Sequence, residues 1–162
     1  MTILSKDDVE TLAAGAAASP AALFVAINDV ARRRLDASLV TTMRHHQAES
    51  QVERLYSSNT DAYPVGGRKT KRDTAWARRV LVEHRVVVNA GDDALREAFD
   101  DHATIFGLGI HSIVNVPLVA EGTCVGTLNI SRAKADWSMD DVALARALGL
   151  AALGAVLMTT KA

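Results

Sequence analysis

The chain has 162 residues, of which 49% are apolar, 23% are charged and 4% are aromatic, and its formal net charge is −1. This length suits one domain with its own core, and the small net charge argues against a protein that binds nucleic acid or an anionic membrane with its whole surface. The single cysteine, Cys124, excludes an intrachain disulfide and a cysteine-cluster metal site, so we expect a cytoplasmic protein.

Two helices are predicted at the start of the chain. Ser5 and Asp8 resemble a capping box, with Asp in the position that Glu usually holds, so a short helix begins there. Ser19-Pro20 begins a second helix, because Ser is a good N-cap and Pro fits the first helical position, and this helix runs to about Leu35. Arg32–Arg34 falls in its last turn, where we expect the charges to complement the helix dipole.

Two strands and a long segment follow. Val- and Thr-rich sequence predicts strands at Asp36–His46 and Gln51–Ser58. The segment Asn59–Asp73, which we call the connector, contains a proline and two glycines and is too long for a tight turn. Loops of this kind often carry function. The basic residues of the connector are Arg68, Lys69, Lys71 and Arg72.

The rest of the chain alternates between helices and strands. A helix is predicted from Asp73 or Thr74 to about His84, then a strand at Arg85–Ala90, then a helix from Asp93 to about Phe106 that ends at two glycines. After a hairpin, Ser138 opens a capping box for a last helix that reaches about Thr159. Its apolar stretch falls short of the roughly 20 residues that span a bilayer, so we expect a buried helix and no membrane partner.

The hairpin, His111–Ser131, is the most informative stretch. Two apolar runs flank Ala120-Glu121-Gly122, and strands this apolar belong in the middle of a sheet. Each run contains one amide, Asn115 or Asn129, which needs a hydrogen-bonding partner in the protein or a ligand, or costs roughly 1–3 kcal/mol. A two-residue turn would place the amides on opposite faces and a three-residue turn on the same face, and the sequence leaves both registers open.

Several of these segments together resemble the C-terminal half of a GAF domain. They are Ser112–Leu118 (SIVNVPL), Glu121-Gly122, Val125–Ile130 (VGTLNI), and Trp137-Ser138 ahead of an Ala- and Leu-rich helix. The sequence over Trp76–Val88 is similar to the middle section of the family, so the resemblance covers about Leu35–Met158.

The resemblance implies an α+β fold, an αβα sandwich around a GAF/PAS-like antiparallel sheet with strand order 2-1-5-4-3. The first and last helices would lie on one face and often form a dimer bundle with a second copy. Short helices and the connector would cover a small-molecule pocket on the other face. We accordingly expect residues 1–35 to supply N-terminal helices of the same domain and residues 36–162 to form the GAF domain.

Members of the family are mostly sensors of cyclic nucleotides, bilins, haem or metabolites, and this chain lacks the marks of the better-defined branches. Cys124 lies early in a strand, where we expect it to be packed, so it is not placed as a bilin attachment site. One cysteine cannot close the catalytic disulfide that free methionine sulfoxide reductases of this fold would need. The Asn-Lys-Phe-Asp-Glu motif of cyclic-nucleotide GAF domains is missing. No catalytic residue or cofactor is therefore assigned.

Seven residues are candidates for ligand binding: Tyr56, Tyr63, Arg68, Trp76, His102, Asn115 and Asn129. The aromatic residues lie in or beside the connector and could form pocket walls, since they combine an apolar face with a polar group. Arg68 follows two glycines whose amides could hold an anion with it. His102 lies on the helix that covers the pocket in the family. The five histidines lack zinc-type spacing, so no metal site is expected.

We therefore expect a sensory or regulatory GAF domain that binds a small metabolite, either neutral or anionic. We also expect it to form a homodimer through its first and last helices and to have no nucleic-acid partner. Two alternatives stay open. One is an enzyme that uses the same pocket without thiols, with His102 or an aspartate as acid or base. The other is an interaction module whose pocket is filled by its own side chains.

Overall fold

Six antiparallel strands form one sheet in the order β3-β2-β1-β6-β5-β4, and helices cover both of its faces. The computed structural model describes residues 2–71 and 73–159. The strands are β1 Leu39–His46, β2 Gln51–Ser57, β3 Arg68–Thr70, β4 Val87–Ala90, β5 Ser112–Ala120 and β6 Thr123–Arg132. The helices are α1 Lys6–Ala18, α2 Pro20–Leu35, α3 Ala75–Ala77 with a π-helical turn at Arg78–Val82, α4 Asp92–Ala98, α5 His102–Gly107 and α6 Met139–Thr159.

The sandwich architecture and the expected strand order are confirmed, and one strand is added. Without β3 the order is β2-β1-β6-β5-β4, which is the 2-1-5-4-3 order in chain numbering. β3 is a short strand within the connector that pairs with β2 at the edge of the sheet. The single helix expected from Asp93 to Phe106 is wrong, because the backbone becomes extended at Phe99 and divides it into α4 and α5.

The helices α2 and α6 lie against one face of the sheet, which we call the bundle face. Their buried residues form one cluster with side chains of β5 and β6 such as Val116 and Leu128. α6 is long and apolar enough to cross a membrane by length and composition alone. Leu148, Ala152 and Val156, on one side of the helix, are completely buried against the rest of the domain.

A buried carboxylate joins α1 to α2. Asp8 completes the expected capping box with Ser5 and also pairs with Arg33 (3.1 Å) and Arg34. Burial raises the pKa of Asp8, but the hydrogen bonds to Ser5 and the charges of Arg34 and Arg33 outweigh it and hold that pKa below its usual range. The arginines at the end of α2 therefore hold α1 in place, a role that the helix-dipole interpretation does not include.

A second buried charge, Arg132, joins α2, β6 and the start of α6. Its guanidinium donates to the carbonyl of Leu35 (3.1 Å), to the carboxylate of Asp141 (2.8 Å) and to the carbonyl of Asp136. It also stacks 3.9 Å from the ring centroid of Trp137. Arg132 is only 2% exposed, so it fixes the two helices to the end of the central strand from inside the domain.

The central hairpin has a register that neither sequence option foresaw. Its turn has two residues, Glu121 and Gly122, both with positive φ (50° and 77°), as a type I′ turn requires. A bulge beyond the turn then shifts the pairing by one residue, between Leu118 and Val119. Because of this shift Asn115 and Asn129 lie directly opposite each other, on the same face.

Candidate functional site

The two hairpin amides face away from the bundle and form a row of hydrogen bonds across three strands. Trp76 Nε1 donates to Asn115 Oδ1 (2.9 Å), and Asn115 Nδ2 donates to Asn129 Oδ1 (2.8 Å). Asn129 Nδ2 then donates to Thr41 Oγ1 (3.1 Å). We call these four residues the polar ladder. The protein therefore supplies partners for both amides, although Asn129 is still partly exposed whereas Asn115 is 2% exposed.

The helix after the connector positions Trp76 over the ladder. Thr74 is its N-cap and accepts from the amide of Ala77 (3.1 Å), which fixes where the helix begins. The helix continues as a π-helical turn, a feature found often at functional sites. Lys71 lies just before this helix, with its ammonium 4.2 Å from the centre of the Trp76 ring. A cation on the indole face completes the cover over the ladder.

A second set of contacts ties the connector to β2 and to the start of α5. Tyr63 donates its hydroxyl proton to Asp101 Oδ2 (2.7 Å), and this hydrogen bond ties the connector to the break between α4 and α5. The guanidinium of Arg54, on β2, lies 5.1 Å from the centre of the Tyr63 ring and donates to the carbonyl of Pro64 (3.1 Å). We call Arg54, Tyr63, Lys71 and Asp101 the connector cluster.

The ionisable groups of the connector cluster are partly removed from water, and this shifts their pKa values. Burial lowers the pKa of Lys71, and the charge of Lys69 adds to this, while Asp101 and Asp100 act in the opposite direction. Burial also lowers the pKa of Arg54. Burial and the hydrogen bond to Asp101 raise the pKa of Tyr63, so its hydroxyl stays protonated. Within the described residues, Arg54 Nε is buried without a hydrogen-bonding partner.

Four of the seven candidate residues belong to the polar ladder or the connector cluster: Tyr63, Trp76, Asn115 and Asn129. Tyr56 lies on the bundle face, where its ring stacks on that of Phe24 at 5.7 Å. Arg68 lies on the edge strand, exposed, and its nearest acidic partner is Glu53 at 3.9 Å. His102 begins α5 with its ring centroid 5.9 Å from that of Phe106. Of the connector's basic residues, Arg72 lies outside the described residues.

Sequence reasoning missed Thr41, Arg54 and Lys71. Only one sequence pattern bears on Thr41 and Arg54. Each lies in a predicted strand, and the alternation of side chains along a strand assigns it to one face of the sheet or the other. Which face is the correct one depends on pairing, and a bulge in the β1–β2 ladder between Thr42 and Met43 makes simple alternation unreliable here.

The remaining polar candidates are occupied by local contacts. His46 lies 2.7 Å from Glu53 and His111 lies 2.7 Å from Asp92, while His45 contacts the carbonyl of Cys124 at 3.3 Å. Burial raises the pKa of the Cys124 thiol, which keeps it protonated and unreactive. Among residues 2–71 and 73–159, no group of three His, Cys, Asp or Glu side chains could hold a metal ion.

Comparison with known proteins agrees with this architecture. The family model described as "GAF domain" matches residues 9–156. The GAF domain of a phosphoenolpyruvate-protein phosphotransferase from Coxiella burnetii is similar at a TM-score of 0.75 and 12% identity, over 96% of this chain and 93% of that chain. Residues 122 to 287 of a methyl-accepting chemotaxis protein are similar at 0.72 and 13%, over 97% and 100%. No curated protein matches.

A domain of a two-component sensor histidine kinase protein from Sinorhizobium meliloti is also similar, at a TM-score of 0.62 and 16% identity over 86% of this chain and 91% of that chain. At identities this low the likeness concerns the fold, and the residues of the site have to be argued from this chain.

Proposed function

Because this chain belongs to the GAF domain family, we propose that it is a sensory or regulatory module in the cytoplasm that binds a small anionic metabolite beneath its connector. The polar ladder is the single observation that carries the proposal. Two amides at the centre of a sheet are costly unless they are hydrogen-bonded, and simple apolar residues would satisfy the fold equally well. The two amides lie beneath Trp76 and Lys71, so a ligand would reach them when these two side chains move away.

The connector cluster favours an anionic ligand. Arg54 has a buried Nε without a described partner, and Lys71 is half-buried with its ammonium on an aromatic face rather than in an ion pair. A carboxylate or phosphate would pair with these cations, while amide or hydroxyl groups of the same ligand would bond to the partly exposed Asn129. The ligand would then replace contacts that the empty protein makes with itself.

Binding would require the connector to move outward. The connector is largely exposed between Pro64 and Thr70, and it is tied to the α4–α5 break through the hydrogen bond between Tyr63 and Asp101. Segments with few buried contacts open locally at low free energy. Opening would expose the ladder by lifting Lys71 and Trp76, and a ligand that binds the opened form would shift the population toward it.

Output would pass through a homodimer formed by the first and last helices. α6 leaves apolar side chains on its outer surface, including Leu150, which is 73% exposed, and α1 adds Val9, which is 50% exposed. Single exposed apolar residues are ordinary, but several along one helix indicate a surface that a partner covers. A second copy would cover it in a four-helix arrangement.

The experiment is a melting-temperature screen of the full chain against small carboxylates and phosphates, followed by calorimetric titration of each hit. Lys71→Met removes the charge but keeps a stem that can pack on Trp76, and Lys69→Met is its matched control on the exposed edge strand. We expect a hit to bind about tenfold more weakly to the Lys71 variant and with unchanged affinity to the Lys69 variant. Equal weakening by both variants would indicate general attraction to a basic loop and would refute the site.

A second candidate, an interaction module with a filled pocket, is favoured by one observation. Every hydrogen bond of the ladder is made within the protein, and Trp76 already occupies the place above Asn115. In that case no metabolite would raise the melting temperature, Lys71→Met would leave all binding unchanged, and the dimer would still form. Size-exclusion chromatography with light scattering measures the last of these.

A further inference from the structure

Arg54 points to the face of the sheet that carries the polar ladder. Met43 lies two residues after Thr41 on β1, so the two side chains share a face, and Arg54 is the residue of β2 that pairs with Met43. The bulge in this ladder absorbs one residue, because Leu55 and Tyr56 both pack against the core of the bundle face. Arg54 therefore lies one row of side chains from Thr41, on the side that the connector covers.

The guanidinium of Arg54 has one free edge. Its Nη1 donates to the carbonyl of Pro64 at 3.1 Å. On the other edge, Nε is buried without a hydrogen-bonding partner, and Nη2 makes no hydrogen bond or ion pair with any described residue. A buried N–H donor without an acceptor is rare in native proteins and calls for an explanation. Nε and Nη2 together form a flat pair of donors that can receive the two oxygens of a carboxylate.

Asp101, the carboxylate of the connector cluster, does not occupy this edge. It accepts the hydroxyl proton of Tyr63 at 2.7 Å. The ring of Tyr63 in turn lies over the guanidinium of Arg54, with its centre at 5.1 Å. Within the described residues, Arg54 is therefore a cation with an aromatic ring over it and no counter-ion beside it.

The charge of the connector cluster matches a ligand with one negative charge. Arg54 and Lys71 are cations and Asp101 is an anion. Tyr63 keeps its proton, so two positive charges and one negative charge leave the cluster at +1. A monocarboxylate neutralises this charge. A phosphate monoester carries about −1.5 to −2 at neutral pH and has a third oxygen that needs donors of its own, and Asp100 and Asp101 would repel the additional charge.

We infer that the ligand of this site is a small monocarboxylic acid and that Arg54 is the residue that selects it. The two carboxylate oxygens would accept from Nε and Nη2. Because Nε is buried, the ring of Tyr63 has to turn away from the guanidinium before the acid binds. The inference rests on the proposed function, since it names the ligand class and the recognising residue of the same site.

The test observes Arg54 directly, by heteronuclear NMR of the isotope-labelled full chain. The Nε–Hε signal of Arg54 is assigned through its contact with the ring of Tyr63. Acetate, methyl phosphate and acetamide are then titrated at constant ionic strength. Acetate should shift this signal along a saturable curve, methyl phosphate should bind about tenfold more weakly, and acetamide should leave the signal unchanged.

Two variants test the selection. Arg54→Lys keeps the charge but removes Nε and the flat pair of donors, and Arg68→Lys is the matched control at an exposed position of β3. The backbone amide signals of the connector report binding in both proteins. Acetate should bind about tenfold more weakly to the Arg54 variant and with unchanged affinity to the Arg68 variant. The Nε–Hε signal of the wild-type protein tests the contact even if the Arg54 variant does not fold.

Three results would overturn the inference. The first is an Nε–Hε signal that acetate does not shift, or shifts without saturation. The second is equal binding of acetate and methyl phosphate, because the site would then accept any anion. The third is equal weakening by the two lysine variants, which would indicate general attraction to basic residues. The proposed function survives each of them if a compound from the melting-temperature screen binds in a Lys71-dependent way, whereas failure of every carboxylate and phosphate in that screen would overturn the proposed function itself.

Discussion

Gly126 lies on β6 directly beside the backbone of β1, and its substitution by Ala should be strongly destabilising. A Cβ at this position would lie 2.2 Å from the carbonyl oxygen of Met43 and 3.3 Å from its carbonyl carbon. Both atoms belong to the backbone of β1, which pairs with β6 over Leu39–Arg44. A side chain could rotate away from such a contact, but a strand held by six paired residues cannot.

The magnitude follows from the distance that is missing. A carbon and an oxygen approach to about 3.2 Å without repulsion, so β6 would have to move from β1 by about 1 Å, which would stretch the neighbouring N–H···O bonds well beyond their usual 2.9 Å. Overpacking of a core typically costs 1–3 kcal/mol. Because the clash is with backbone and involves the central strand pair, we expect a loss of about 3 kcal/mol or more.

Two other glycines calibrate this expectation. An added Cβ at Gly149 would meet a side chain, Val116 Cγ1 at 2.7 Å, which can give way, so Gly149→Ala should cost about 1–2 kcal/mol. Gly154 has nothing within 4 Å of the added Cβ and lies inside α6. Gly154→Ala should therefore stabilise the protein by up to about 1 kcal/mol through helix propensity and reduced freedom of the unfolded chain.

Urea titration at one protein concentration, followed by the fluorescence of Trp76 and Trp137, gives the three free energies of unfolding together with their m-values. The expected order of stability is Gly154→Ala, wild type, Gly149→Ala, Gly126→Ala. A Gly126 variant within 0.5 kcal/mol of wild type, at an unchanged m-value, would show that the β1–β6 contact is more compliant than the structure indicates and would refute the reasoning.

Three further predictions concern single polar contacts. Asp8→Asn should lower the free energy of unfolding by about 1–2 kcal/mol at pH 7. The contribution of Asp8 is complete above its unfolded-state pKa of 3.8 and is lost as the pH falls through its lowered folded-state pKa. Urea titrations should therefore show the stabilities of the variant and the wild type converging toward pH 2. Trp76→Phe should cost about 1–2 kcal/mol by leaving Asn115 Oδ1 without its donor, measured by the same titration, and an unchanged stability would show that water replaces the indole. Arg132→Met should cost about 3 kcal/mol by removing the donor from the carbonyl of Leu35, and calorimetric melting should show a clear fall in Tm.

Helix starts were predictable because their causes are local. The capping boxes at Ser5 and Ser138 and the Ser19-Pro20 pair each involve residues within one turn of each other, and the structure confirms all three. The helix predicted from Asp93 was wrong at Phe99, where the backbone becomes extended and the side chain packs against a core cluster with Leu95 and Ile105. Such contacts are invisible to short-range patterns.

For the candidate site, the sequence identified residue types that require hydrogen-bonding partners, but it did not identify the partners. Asn115, Asn129 and Trp76 attracted attention as residue types that require partners, and the structure makes them partners of one another. Lys71 was indistinguishable from Arg68 in a basic loop, because only the pairing of β3 with β2 decides which of them lies next to Trp76. Strand registers and bulges depend on distant parts of the chain, so the sequence alone does not determine them.

The close contact between Gly149 and Val116 has a mechanical consequence. Asn115 and Val116 are neighbours on β5 and point to opposite faces, so one peptide unit carries both the middle of the ladder and the contact with α6. An added methyl group at Gly149 would lie 2.7 Å from Val116 Cγ1, so the strand and the helix are close-packed there. A displacement of β5 on one side would press the Val116 side chain against the helix on the other, and β5 thereby connects the two faces of the sheet.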